Sequence, residues 1–206
     1  RLEGDCSIQL SYQDIRQYKL YNISLKKSTL FIKKIAFFVF FRYNLLKRGK
    51  KMKKIVEILK NKNQTISCME SCTGGMLASE ITNIDGSSDV FSLGLITYSN
   101  EWKEYFGVNK KIIDEYTVYS TNVAKEMAKT ISNFAKSDWG IGITGQLGKK
   151  DLKNNSDELN TVYFAIYNSK ENKCFDYMIH PGGKNKLEKK QDVIKNIKER
   201  FYEICK

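Results

Sequence analysis

From residue 53 onward the apolar positions switch repeatedly between a helical and an extended period. Ile55, Val56, Ile58 and Leu59 share one face of a helix over Lys53–Leu59. Thr65–Met69 is a short apolar run that reads as a strand. Gly74–Ile81 reads as a helix with Met76, Leu77 and Ile81 on its apolar side, and Phe91–Tyr98 as a strand rich in Phe, Leu, Ile and Thr. Val123, Met127, Ile131 and Phe134 recur at helical spacing over Val123–Phe134. Trp139–Thr144 is a glycine-containing run expected to be a buried strand. Thr161–Tyr167 and Lys173–Ile179 are separated by five residues, Asn168 to Asn172, which predicts a hairpin. A last helix, about Lys186–Ile204, carries Leu187, Val193, Ile194, Ile197, Phe201 and Ile204. Alternating strands and helices with one hairpin predict a three-layer α/β/α sandwich around a mixed sheet. The polar stretch Lys149–Asn160 reads as an exposed loop.

Charge separates this pattern from what precedes it. The 206-residue chain carries a formal net charge of +12. Residues 1–51 hold 12 Lys/Arg against 3 Asp/Glu, and residues 52–206 hold 23 against 20. A nucleic-acid or anionic-surface partner would be the natural inference from +12, but it attaches to the first 51 residues and not to the body. The apolar run Ile35–Phe41 is seven residues long and is closed by Lys33, Lys34 and Arg42. A membrane-spanning helix needs about 20 apolar residues, and no small-residue cleavage site follows. The codons permitted by Lys47-Arg48-Gly49-Lys50-Lys51 include a purine-rich ribosome-binding block with an adenine spacer before Met52. The expectation is a natural start at Met52, with residues 1–51 a non-domain extension, either a gene-model artefact or a disordered or targeting tail. Residues 52–206 then form one domain, with no membrane association and no nucleic-acid role.

Cysteine use points to a reducing cytoplasm. The five cysteines are odd in number, and a chain of this length needs no disulfide staples. With His180 the sole histidine, a His-rich zinc site is excluded. No metal or organic cofactor is expected.

Three polar segments follow predicted strands. Met69-Glu70-Ser71-Cys72-Thr73-Gly74-Gly75 joins a strand to a helix, where small residues expose backbone N–H groups suited to an anion or oxyanion. Equally, Ser71 or Thr73 would serve there as an ordinary helix N-cap. Ile96–Lys103 ends a strand in hydroxyl and amide groups with a lysine five residues past Tyr98, and Lys103 read alone is a solvated helix lysine. Thr144-Gly145-Gln146-Leu147-Gly148 is a glycine turn after a buried strand, the place where α/β sheets commonly bind ligands.

Taken together, Glu70–Gly75 (ESCTGG), Gly86-Ser87-Ser88, Thr97–Lys103 (TYSNEWK) and Thr144–Gly148 resemble, in order and spacing, the motifs of the CinA C-terminal domain family. The family's stand-alone members are nicotinamide mononucleotide deamidases. The resemblance spans Met52–Lys206 and implies an amidohydrolase that converts nicotinamide mononucleotide to nicotinate mononucleotide and ammonia. It implies Ser71 as nucleophile and Lys103 as general base. It places Glu70, Cys72, Thr73, Gly74, Gly75, Tyr98, Thr144, Gly145 and Lys184 in substrate binding, with a homodimer as the assembly. Neutral lysine is a competent base for a serine when burial lowers its pKa. The N–H groups of Cys72 to Gly74 are the expected oxyanion donors. This chain departs from the pattern at Lys149-Lys150-Asp151-Leu152, where the family is rich in Gly and Pro, and at Lys184, where it carries Arg. Lysine lacks arginine's bidentate fork for phosphate. The rival readings are Ser71 with His180 and an Asp as a triad, a non-catalytic nucleotide-binding module linked to competence or damage, and a nucleic-acid binder.

Overall fold

Five strands form one mixed sheet: β1 (Ile66–Glu70), β2 (Phe91–Ile96), β3 (Trp139–Gln146), β4 (Thr161–Asn168) and β5 (Lys173–Ile179). Their spatial order is β2-β1-β3-β4-β5. The computed structural model describes residues 51–148, 154 and 159–206, all within the unit Lys47–Lys206. The expectations for residues 1–50, and for most of the 149–160 loop, lie outside the described residues. β1 pairs in parallel with β2 and with β3, whereas β3–β4 and β4–β5 are antiparallel. The β4–β5 hairpin closes through Asn168, whose side-chain oxygen accepts from the Lys170 and Glu171 N–H groups, and through Asn172 at φ 49°.

Helices cover both faces, as the alternating pattern predicts. On one face lie α1 (51–61), α2 (Met76–Thr82) and α6 (Lys186–Cys205). Met52, Ile55, Leu59, Leu77, Val193, Ile197 and Phe201 pack there with Ile141, Ile143, Val162, Phe164 and Ile166 of the sheet. On the other face lies α5 (Thr121–Ala135), which sets Val123, Met127 and Ile131 against Met69, and Ala124 and Ala128 against Tyr163, Ala165 and Tyr167. β4 thus divides its side chains strictly by period two, and both sets are buried, as expected of a strand covered on both faces. Each large apolar side chain buried this way contributes about 1.5–3 kcal/mol relative to exposure.

The glycines of β3 set the distance between sheet and α5. A Cβ on Gly140 would lie 2.1 Å from the Ala128 carbonyl oxygen, and one on Gly142 would lie 2.2 Å from that of Ala124. Small residues on both elements therefore let the helix backbone rest directly on the strand. α5 is capped at its start by Ser120, whose hydroxyl accepts from the Val123 N–H at 3.2 Å.

Two short helices, α3 (Asn100–Tyr105) and α4 (Lys110–Tyr116), are absent from the sequence-based pattern. α3 buries only Lys103 and α4 only Ile113, so neither has the apolar stripe that periodicity detects. Side-chain caps mark their starts instead: Ser99 accepts from the Trp102 N–H and Asn109 from the Lys111 N–H. α2 also begins later than expected, because Gly74 and Gly75 adopt φ 63° and 87° in the turn ahead of it.

Candidate active site

Three parallel strands bring the polar segments to one edge. Glu70 at the end of β1 pairs with Ile96 of β2 and with Ile143 of β3. The ladder continues for one bond beyond: the Ser71 N–H donates to the Ile143 carbonyl at 3.0 Å and the Thr97 N–H to the Glu70 carbonyl at 2.8 Å. Residues 71–75 and 97–103 thus leave the sheet beside the last residues of β3, which runs on to Gln146 two residues past the expected strand end, so that Gly145 is a strand residue paired with Val162 and not part of a turn; these are the strand C-termini, where open α/β sheets bind ligands.

Lys103 is buried, 1% exposed, on the inner side of α3. Its Nζ lies 3.3 Å from Ser71 Oγ, 2.7 Å from the Thr97 carbonyl and 3.4 Å from the Ser99 carbonyl. No carboxylate pairs with it among the described residues. Desolvation, uncompensated by an anion, pushes its pKa down from 10.5 to about 8. A neutral amine has two N–H donors and one lone pair. As an ammonium, Nζ donates to the Thr97 and Ser99 carbonyls and to Ser71 Oγ; as a neutral amine it keeps two donors for the carbonyls and has a lone pair to accept from the Ser71 O–H.

The turn that carries Ser71 is shaped by Glu70, which is 0% exposed. Its carboxylate accepts from Thr73 Oγ1 (2.6 Å) and from the N–H groups of Gly75 (3.1 Å), Leu77 (3.2 Å) and Ala78 (2.8 Å). Glu70, rather than Ser71 or Thr73, therefore satisfies the start of α2; the N-cap Gly75 has no side chain to do so. Glu70, expected from the resemblance to bind substrate, has its oxygens engaged inside the turn and does not line the cleft. Thr73 belongs to the same internal network. The Gly74 N–H donates to the Ser71 carbonyl at 3.1 Å, so the expected oxyanion donors narrow to the N–H groups of Cys72 and Thr73.

A cleft of about 570 Å³ opens over the pair. Of the residues singled out in the sequence, Ser71, Cys72, Tyr98, Lys103 and Gly145 line it. Thr144 does not: it is fully buried and its hydroxyl donates to the Val118 carbonyl at 2.8 Å, bracing the segment before α5. Gly75 lies in the turn behind, where a Cβ would meet Ile96. Lys184 is exposed, does not line the cleft, and offers its backbone N–H to Glu188. The cleft wall includes residues the sequence reading passed over, among them Asn100, Gln146 and Lys186. Asn100 stood in the TYSNEWK segment and was legible there; Lys186, in a charged helix start, looks like any solvated lysine. Cys72 borders the cleft, but burial raises its thiol to about 12, which removes it as a thiolate nucleophile. His180 is exposed, contacts Thr161 at 3.2 Å and is no part of the cleft wall, which removes the triad reading. Among the described residues no group of three or more His, Cys, Asp or Glu could hold a metal, and no helix is long and apolar enough to cross a membrane.

The CinA C-terminal domain family matches residues 49–196. The chain belongs to that family. Among curated CinA relatives, one from Clostridium kluyveri named "Putative competence-damage inducible protein" is 38% identical over 142 residues, covering 68% of this chain and 34% of its own length. One of the same name from Caldanaerobacter subterraneus subsp. tengcongensis is 45% identical over 95 residues, 46% of this chain and 23% of its own. The chain thus spans about a quarter to a third of the curated relatives it matches. The fold is that of solved CinA structures. The CinA superfamily protein of Enterobacter cloacae superposes with a TM-score of 0.71 at 22% identity, covering 77% of this chain and 92% of that one.

Proposed function

We propose that this CinA domain is a serine amidohydrolase acting on a carboxamide, with nicotinamide mononucleotide as substrate and nicotinate mononucleotide and ammonia as products. The observation that carries the reading is the buried Lys103 amine, without an anionic partner among the described residues, at 3.3 Å from the Ser71 hydroxyl. Lys103 Nζ takes the Ser71 proton as Oγ attacks the carboxamide carbon. The new C–O bond converts the carbonyl oxygen to an oxyanion facing the N–H groups of Cys72 and Thr73. The Lys103 ammonium then gives its proton to the departing nitrogen, the C–N bond breaks and ammonia leaves. Water, deprotonated by the same amine, hydrolyses the Ser71 ester and releases the acid. Tyr98 and Gly145 border the space left for the substrate. The cytoplasm and a homodimeric form complete the proposal.

The test is ammonia release from nicotinamide mononucleotide by the 206-residue chain, with Ser71→Ala and Lys103→Ala beside it. Release abolished in both variants, with folding retained, supports the pair. A wild-type chain that binds the mononucleotide and releases no ammonia replaces the enzyme by a nucleotide-holding module.

A further inference from the structure

We infer that Tyr119 is a specificity-determining residue of the Ser71 cleft, against whose ring a flat heteroaromatic amide stacks, and that the strained backbone at Thr117 is what positions it. The inference rests on the amidohydrolase reading for the identity of the amide, but on independent geometry for the placement of the ring. Thr117 follows α4 at φ 62° and ψ 159°, a conformation that is essentially glycine's alone. It is β-branched and exposed, so no packing of its own side chain accounts for that conformation. The residues after it are held from three sides. Val118 is buried in the apolar cluster of Val123, Met127 and Ile131. Its carbonyl accepts from the Thr144 hydroxyl of β3 at 2.8 Å. The Ser120 hydroxyl donates to the Thr117 carbonyl at 3.0 Å and accepts from the Val123 N–H at 3.2 Å, so the cap of α5 also fixes the strained residue. Backbone kept in an unfavoured region by its surroundings clusters at ligand clamps and active sites. The residue that this segment delivers to the cleft wall, next to Val118, is Tyr119.

Tyr119 is half-buried and packs against two apolar clusters, that of Val123 and Met127 and that of Ala124 and Tyr163. Its ring is therefore seated before a ligand arrives, and little rotamer freedom is left to lose on binding. Tyr98 and Tyr119 are the two rings on the cleft wall among the described residues. They differ in how they are held: Tyr98 is 65% exposed, whereas Tyr119 is fixed by the sheet and α5. A pyridine amide joined to ribose through its ring nitrogen is flat and carries a positive charge on the ring. Stacking on a phenol ring gives it dispersion contacts and a cation–π attraction together. An aliphatic amide gains neither, so a rigid tyrosine in this wall selects by the ring and not by the amide alone.

The experiment measures binding of nicotinamide mononucleotide and of ribose 5-phosphate, which lacks the ring, to the 206-residue chain. Tyr119→Leu, Tyr119→Phe, Thr144→Val and the double variant Tyr119→Leu/Thr144→Val are measured beside it, with ammonia release assayed in parallel. In Tyr119→Leu, mononucleotide binding weakens and KM rises on the order of 10-fold. The loss falls on KM more than on kcat, and ribose 5-phosphate binding is unchanged. Tyr119→Phe, which keeps the ring, restores most of the affinity. Thr144→Val removes the brace on Val118 and raises KM in the same direction; in the double variant the two effects fail to add, because both act through one ring. A Tyr119→Leu variant with the wild-type affinity for the mononucleotide, or one that weakens both probes alike, overturns the assignment. Binding that depends on Tyr119 and on the ligand's ring, with no ammonia released by the wild type, leaves Tyr119 standing and removes the amidohydrolase instead.

Discussion

Lys103 Nζ donates to the Thr97 carbonyl at 2.7 Å and meets the Ser71 hydroxyl at 3.3 Å, with Nζ buried and no acid paired with it among the described residues. The two contacts divide the amine's work. The carbonyls of Thr97 and Ser99 hold it in place, and burial keeps it available as a base by lowering its pKa to about 8.

The pH dependence of turnover follows from that value. Below about pH 8 the neutral fraction of Lys103 falls tenfold per pH unit, to about one part in ten at pH 7. The logarithm of kcat/KM should rise with a slope near one up to about pH 8 and then level. A profile flat from pH 6 to pH 9 removes Lys103 as the base.

Stability carries the opposite signature of the same burial. The folded pKa lies below the unfolded one, so between about pH 8 and 10.5 the unfolded chain binds more protons and stability rises with pH. At pH 7, where the amine is mostly protonated in both states, the cost of burying the charge is about 3 kcal/mol. Lys103→Met removes the ionisable group, so it should stabilise the protein relative to wild type more at pH 7 than at pH 10, while abolishing turnover. Denaturant midpoints at the two pH values check this; a difference independent of pH contradicts it.

Glu70 holds the nucleophile turn from inside. Glu70→Ala leaves the buried N–H of Leu77 and the half-buried N–H groups of Gly75 and Ala78 without their acceptor. Each such loss costs about 1–3 kcal/mol. A destabilisation of about 3 kcal/mol or more is expected in urea unfolding, with Glu70→Gln retaining part of the stability.

Gly142→Ala tests the contact between β3 and α5. The added methyl would meet the Ala124 carbonyl at 2.2 Å and the Ala128 nitrogen at 2.6 Å, both of them backbone. The helix must move bodily, so a loss of about 3 kcal/mol or more is expected. Gly148→Ala, where a Cβ meets nothing within 4 Å among the described residues, is the matched control and should change the thermal midpoint by little.

Cys72 separates proximity from reactivity. A thiol raised to about 12 stays protonated at pH 7 and should resist alkylation in the native state. Cys72→Ser should keep most of the ammonia release. Rapid native-state alkylation of Cys72, read by peptide mass, contradicts this burial.

Local pattern was enough to locate the strands, the long helices and the polar segments that follow β1, β2 and β3, because burial on two faces of a sheet imposes periods of two and 3.6 on the apolar residues. In β4 both buried faces, Val162, Phe164 and Ile166 against Tyr163, Ala165 and Tyr167, are written in the chain as a simple alternation. The motifs also named Ser71 and Lys103 through their resemblance to a family. Their 3.3 Å separation came from elsewhere. Parallel pairing of β1 with β2 brings residues 32 apart in sequence to one edge, and α3, which has no apolar stripe, turns its lysine inward. Glu70 as an internal cap and Thr144 as a brace were likewise invisible to a linear reading. Each role depends on which way a polar side chain points, and in a chain without three-dimensional neighbours that direction has no periodic signature.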